Sequence, residues 1–204
     1  ALLFNDAYDI HADISIAKMQ GYTRSMDFEA TQLDFIYPSP NIPNKETTYT
    51  YLATCIFEGT NMSEGRGTTK PFTMFGSPYL DHLWLIDAIK SYQLPGFKLR
   101  PTFFTPSFSK HKDKLCRGLE IIVTDKDVFQ PVYTGFVILK LIEEHHPEFA
   151  YLEPYRKGGR PFIDLLVGDS FLRENTLNLD QIRQKMYHDA QAFKVFKRRY
   201  HIYD

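Results

Sequence analysis

Cysteine is scarce in this chain. Two cysteines among 204 residues, Cys55 and Cys116, cannot staple a core-poor domain, so packing must hold the fold together. They read as buried thiols, with one bridge between neighbouring strands as the alternative. Charge of one sign is lacking too. A net charge of −1 and a pI near 6.7 give none of the basic excess with which proteins grip nucleic-acid phosphates, so no nucleic-acid partner is expected. No apolar run approaches the roughly 20 residues of a membrane helix, so no membrane span is expected. The opening ALLFNDAYDI has neither the basic start nor the apolar stretch of a secretory signal. Internal repeats and low-complexity tracts are missing as well.

Several chemical signatures are also absent. A phosphate-cradling loop needs G-x-x-x-x-G-K-[ST]. Here Gly59 and Gly65 enclose five residues, Arg66 replaces Lys, and Gly67 replaces Ser or Thr. The dinucleotide pattern G-x-G-x-x-G fails likewise, and no serine sits in a G-x-S-x-G elbow. His145 and His146 are adjacent and would diverge by about 100° on a helix. His82, His111, His188 and His201 stand alone, so neither a metal nor a cofactor is expected.

What is present suits a sizeable core, as one large domain or a domain plus a lobe. The 17 Phe and 13 Tyr read as a phenylalanine-rich core with tyrosine at its margins, although aromatic faces also serve sugar binding. Apolar alternation marks strands at 13–19, 54–57, 72–75, Phe97–Phe104 and 118–124. Helical spacing marks 45–51, 79–93, Pro131–His145 and 180–200. In 79–93 the expected stripe is Leu80, Leu83, Trp84 and Ala88. In 180–200 it is Ile182, Met186, Phe193 and Phe196, with Asn178 and Asp180 as cap candidates. Lys194, Lys197, Arg198 and Arg199 suit the negative end of that last helix. Three prolines make residues 38–43 a stiff, extended segment. Interleaved helices and strands give an α/β (mixed α+β) class, a central mixed sheet flanked by helices.

The densest chemistry follows residue 57, in the loop EGTNMSEGRGT. Gly59, Gly65 and Gly67 permit close backbone approach. Thr60, Asn61, Ser63 and Arg66 concentrate donors. Glu58 and Glu64 offer two carboxylates, the pair that glycosidic chemistry requires. Glu64 reads as a solvated loop carboxylate. Glu58 needs a partner, and Arg66 is at hand, either as a structural mate or as a two-pronged clamp for a substrate carboxylate.

PSPNIP at 38–43, FEGTNMSEGRGTTKPF at 57–72 and GSP at 76–78 together resemble the exo-β-N-acetylmuramidase family. TPSFSKH at 105–111, CRG at 116–118, Asp125 and DLLVG at 164–168 resemble its later blocks. The resemblance implies a two-domain protein that releases N-acetylmuramic acid from peptidoglycan ends, in the periplasm or outside the cell. It implies that residues 1–204 are the C-terminal α/β domain, with 1–12 a linker remnant. The partner would be an N-terminal Rossmann-like domain carrying the main catalytic glutamate. The matching blocks make Glu58 a supporting catalytic candidate. They make Thr60, Asn61, Ser63 and Arg66 substrate-binding, with Gly59, Gly65 and Gly67 shaping the backbone and Ser39 and Asn41 behind that wall. A binding module without catalysis is the competing expectation, and a purely structural loop is the third.

Overall fold

The computed structural model describes residues 1–204. Its elements follow in the order α1 (Leu2–Ala7), α2 (Lys45–Thr54), β1 (Met74–Ser77), α3 (His82–Ile89), β2 (Phe97–Phe104), β3 (Cys116–Val123), α4 (Pro131–His145), α5 (Phe162–Val167), α6 (Phe171–Glu174) and α7 (Leu179–Lys197). They form two units: residues 36–179, and residues 1–35 together with 180–204. The class is mixed α/β, as the sequence implies. The sheet, however, is antiparallel throughout rather than mixed.

In the larger unit α4 is the central element. Pro131 opens it with a fixed φ at a position whose N–H has no helical partner. All ten residues from 133 to 142 are buried, so the helix is enclosed on every side instead of showing one apolar face. It packs on α2 and α3. A methyl group on Gly135 would lie 2.2 Å from the Ala53 carbonyl oxygen, which explains why α2 and α4 cross so closely. Lys140 is the charged exception within the buried run of α4. Its ammonium meets Glu143, the Asn175 side chain and the Leu172 carbonyl.

The sheet runs β1-β3-β2. Met74 pairs with Glu120 and Pro101 with Leu119, while the Ile121 N–H donates to the Thr73 carbonyl at 2.9 Å. Odd-numbered β3 residues therefore turn their N–H and C=O toward β1, and even-numbered ones toward β2. Pro101, which lacks an N–H, thus sits where that group would face the outer edge of β2 and cost no ladder bond.

Asp81 caps α3, accepting from the Trp84 N–H at 3.0 Å. The cap starts the helix at His82 rather than Tyr79 and sets its phase. The buried face is His82, Leu85 and Ile89, and Leu83 of the expected stripe is 59% exposed. His146 joins α3 to α4: its Nε2 accepts from the Asp81 N–H at 2.9 Å, and Nδ1 lies 3.1 Å from the Ile142 carbonyl. The His145 ring stacks on Trp84, centroids 3.6 Å apart.

Two expected strands do not form. Residues 54–57 continue α2 into a 3-10 turn, Cys55–Gly59. Thr54 fits there because its hydroxyl lies within bonding distance of the carbonyls of Thr50 (3.0 Å) and Phe72 (2.8 Å), the back-bonding that lets threonine sit in a helix. Residues 13–19 have no strand partner and no regular structure, consistent with the marginal stability of a lone strand. Both cysteines are free thiols.

In the smaller unit only Ile182 is a buried apolar residue. Helix α7 ends at Lys197, and a 3-10 turn, Arg198–Tyr200, completes the span. Phe193 and Phe196 of the expected stripe are exposed, as are Tyr187 and Val195. No helix is long and apolar enough to cross a membrane.

Candidate functional site

The site begins where α2 tightens. Tyr51 and Cys55 are one α-helical turn apart, and Cys55 and Glu58 are one 3-10 turn apart. Positions i and i+3 eclipse in a 3-10 helix, so Tyr51, Cys55 and Glu58 form a column along one face. All three are half-buried. Burial first, then the nearby Cys55 and Glu58, raises the Tyr51 phenol pKa. Burial and then Glu58 push the Cys55 thiol up to about 11.

Arg66 crosses this column from the loop. Its Nη2 donates to Glu58 Oε2 at 2.7 Å, and its Nε lies 3.2 Å from Glu64 Oε1. Its guanidinium also lies 4.9 Å from the centre of the Phe72 ring, at cation–π distance. Phe72 has φ 59°, a left-handed conformation that costs a bulky residue about 1–2 kcal/mol. Its N–H donates to the Glu64 carbonyl at 2.7 Å, its carbonyl receives the Thr54 hydroxyl, and its ring meets Tyr51 edge-on. These contacts hold the strained backbone in place.

Glu64 is not a solvated carboxylate. It is 1% exposed, with Arg66 on one oxygen and Lys110 Nζ 2.7 Å from the other. Lys110 directs hydrogen bonds to the carbonyls of Phe57 (2.6 Å) and Thr60 (3.0 Å). Its approach to Glu64 Oε2 has ion-pair distance without hydrogen-bond alignment. Burial lowers the Lys110 pKa, and Glu64 opposes that shift. Two carboxylates thus face two cations, the arrangement that makes buried charge tolerable.

The remaining loop residues are mostly spent on their own chain. Asn61 Oδ1 accepts from the Tyr79 hydroxyl (2.6 Å) and the Ala150 N–H (3.1 Å), and its Nδ2 donates to the Glu148 carbonyl (2.7 Å). The Thr60 and Ser63 hydroxyls are buried. Thr60 donates to the Phe57 carbonyl, and Ser63 accepts from the Gly65 N–H. These three act as braces inside the loop, because each already spends its polar atoms on the chain's own backbone or on Tyr79, and Thr60 and Ser63 are buried as well. Gly59 abuts the Ile163 backbone, where a methyl would come within 2.7 Å. Gly65 and Gly67 have φ 81° and 82° with backbone oxygens pressed against them, so both need glycine. The Ser39 hydroxyl accepts from the Asn41 N–H at 3.3 Å and tightens the turn between the prolines. What the loop offers outward is Glu58 and Arg66, with side-chain exposures of 18% and 29%.

Sequence reasoning missed Lys110 and His111 as parts of this cluster, although both lie in the TPSFSKH block. Ser109, His111 and Asp113 all have positive φ, which folds residues 107–113 back over the loop. The Ser107 N–H donates to the Gly67 carbonyl at 2.9 Å, and His111 Nε2 lies 2.7 Å from the Asn61 carbonyl.

A family model described as exo-β-N-acetylmuramidase NamZ, C-terminal, matches residues 49–203, and its N-terminal counterpart matches residues 1–46. The peptidoglycan β-N-acetylmuramidase NamZ of Bacillus subtilis (strain 168) is 41% identical over 207 residues, covering 100% of this chain and 49% of that protein. Two crystal structures of DUF1343 family proteins from Bacteroides fragilis NCTC 9343 match over 100% of this chain and 54% of theirs. One has a TM-score of 0.85 at 25% identity, the other 0.62 at 26%. The chain spans about half the length of the curated relative it matches. The junction between the two family models falls just past the proline-rich segment 38–43.

Proposed function

Because the chain belongs to the exo-β-N-acetylmuramidase NamZ family, we propose that it forms one wall of a glycoside hydrolase cleft acting on peptidoglycan fragments. The ligand is a terminal N-acetylmuramic acid, whose lactyl group carries a carboxylate. The observation that carries this reading is the state of Arg66. Its guanidinium is fixed at Nη2 by Glu58 and at Nε by Glu64, yet it keeps an exposed edge. A guanidinium has five N–H donors, and the only one that makes a hydrogen bond within the chain is on Nη2, so others stay available for a carboxylate held in two-pronged fashion. Glu58 orients Arg66. Ser39, Asn41, Thr60, Asn61 and Ser63 hold the wall's backbone in place instead of touching sugar.

Glycosidic hydrolysis uses two carboxylates flanking the bond. Glu64 is sealed and Glu58 is engaged, so the reacting pair comes from the N-terminal Rossmann-like domain, which is the structural partner. That domain also covers the apolar side chains that α7 leaves exposed. The assembled protein works in the periplasm or outside the cell, where peptidoglycan lies. The test is Arg66→Lys in the full two-domain protein. Lysine keeps the charge but loses the fork, so affinity for muramic acid glycosides falls about tenfold or more, and affinity for glucosamine analogues holds. Equal losses for both sugars reject the reading.

The commitment of both glutamates to internal ion pairs also supports a second reading, a sugar-binding module without catalysis. A chromogenic muramic acid glycoside, offered to this chain with and without the separately expressed N-terminal domain, separates the two. Hydrolysis only with the partner supports the shared cleft. Binding with no hydrolysis in either mixture supports the module.

A further inference from the structure

The boundary between the two family models and the boundary between the two packed units do not coincide. By sequence, residues 1–46 match the N-terminal family model and residues 49–203 the C-terminal one. By contact, residues 180–204 pack with residues 1–35. Helix α7 thus lies in the C-terminal half by sequence, yet it is built against residues that match the N-terminal half.

Specific contacts hold it there. The Arg24 N–H donates to the Asp204 carbonyl at 2.7 Å, and the Met19 N–H donates to the Tyr203 hydroxyl at 2.8 Å. The Tyr22 and Tyr203 rings meet edge-on with centroids 5.1 Å apart. Asp6 of α1 accepts from the Tyr200 hydroxyl and lies 3.1 Å from the Arg199 guanidinium. Such tethers fix position but remove little apolar surface from water. The stripe of α7 stays uncovered. At about 100° per residue, Ile182, Met186, Ala190, Phe193 and Phe196 share one face. Ile182 is buried and Met186 half-buried, and from Ala190 to Phe196 the face is exposed. Lys197 and Arg199 lie 5.7 Å and 5.2 Å from the ring centres of Phe193 and Phe196, yet Phe193 remains 51% exposed. Helix α1 buries none of its residues. One buried apolar side chain does not offset the entropy of ordering two segments of chain.

We propose that α7 is the closing element of the N-terminal domain, and that its face from Ala190 to Phe196 is the seam on which the remainder of that domain seats. The chain leaves this domain at residue 35, folds residues 36–179, and returns at residue 180. Continuity identifies the occupant: the segments already touching α7 match the N-terminal family model, so the rest of the same domain adjoins the same helix. That there is such a domain rests on the proposed function. The mismatch between the two boundaries does not. A domain closed in this way cannot be cut free by a single break in the chain.

The test is amide hydrogen exchange, followed by mass spectrometry in this chain and in the full two-domain protein. Residues 186–197 exchange about a hundredfold more slowly in the full protein than in this chain alone. Phe193→Glu, which puts a charge into the seam, returns α7 of the full protein to the fast rate and leaves α4 protected. Phe193→Leu keeps the protection. The comparison of the two unaltered proteins stands whether or not the glutamate variant folds. Equal exchange of α7 in both proteins, or a full protein in which Phe193→Glu changes nothing, overturns the proposal. A dimer of this chain that sediments as such and is separated by Phe193→Glu also overturns it, in favour of a second copy on the seam. Arg66→Lys leaves the exchange of α7 unchanged, so failure of the sugar reading and failure of this one are distinguishable.

Discussion

Phe75 and Phe193 are the same residue type in opposite settings. Phe75 is fully buried and stacks on Phe57 with centroids 5.0 Å apart. Phe193 sits on α7, 51% exposed, with Phe196 as its ring neighbour. The contrast holds for the units they belong to. Residues 36–179 enclose a helix on every side, whereas residues 1–35 and 180–204 bury one apolar side chain, Ile182. Helical periodicity is equally clear in α4 and α7, so periodicity alone does not tell whether an apolar stripe has found its cover. Cover depends on what packs against the stripe, and the helix's own sequence does not encode that.

The comparison can be broken at several points, beginning with the strongest. Phe75→Ala should cost about 3–5 kcal/mol of stability, measured by denaturant unfolding, whereas Phe193→Ala should stay within about 0.5 kcal/mol. Similar losses for both would show that α7 is packed in solution. Lys110→Met comes next. It leaves Glu64 buried with Arg66 alone, a loss of about 3 kcal/mol, and the double change Lys110→Met with Glu64→Gln should recover a good part of it.

Smaller in effect is the response of the larger unit to acid. Burial chiefly lowers the pKa of both His111 and His146. The unfolded chain therefore takes up more protons just below the ordinary histidine value of about 6.5. Stability is complete above that value and declines as pH falls through it toward the lowered folded values. Trp84, the only tryptophan, lies in this unit. Its fluorescence-detected midpoint should fall on moving from about pH 7 to 5, and His146→Gln should flatten the slope. The smallest expected effect is that of Val195→Ser on exposed α7, within about 0.5 kcal/mol and without change in the Trp84 signal.

Much of the framework was legible because its signals are local. Pro131 marks the start of α4 and Pro147 its end, so both bounds follow from residue chemistry. The runs at 97–104 and 118–124 locate β2 and β3 because β-branched and aromatic residues cluster there. The strand expected at 54–57 fails for a non-local reason. Four apolar or β-branched residues suit a buried strand or a buried helix end equally, and the Phe72 carbonyl, eighteen positions away, decides in favour of the helix end. The site shows the same limit. The Glu58–Arg66 pair was legible from a carboxylate that needed a partner eight residues along. Lys110 was not, since nothing around residues 105–113 reveals that alternating left-handed residues fold this segment back. Asn61 misled for a related reason: an amide signals hydrogen-bonding capacity, and Tyr79, Glu148 and Ala150 had already used it.

The two cysteines carry a consequence for the chain's covalent life. Burial pushes both thiols up to about 11, so at neutral pH scarcely any thiolate exists to attack a disulfide or an oxidant. Both thiols are free in this fold, so its packing holds without a bridge, and their burial slows the chemistry by which one could form.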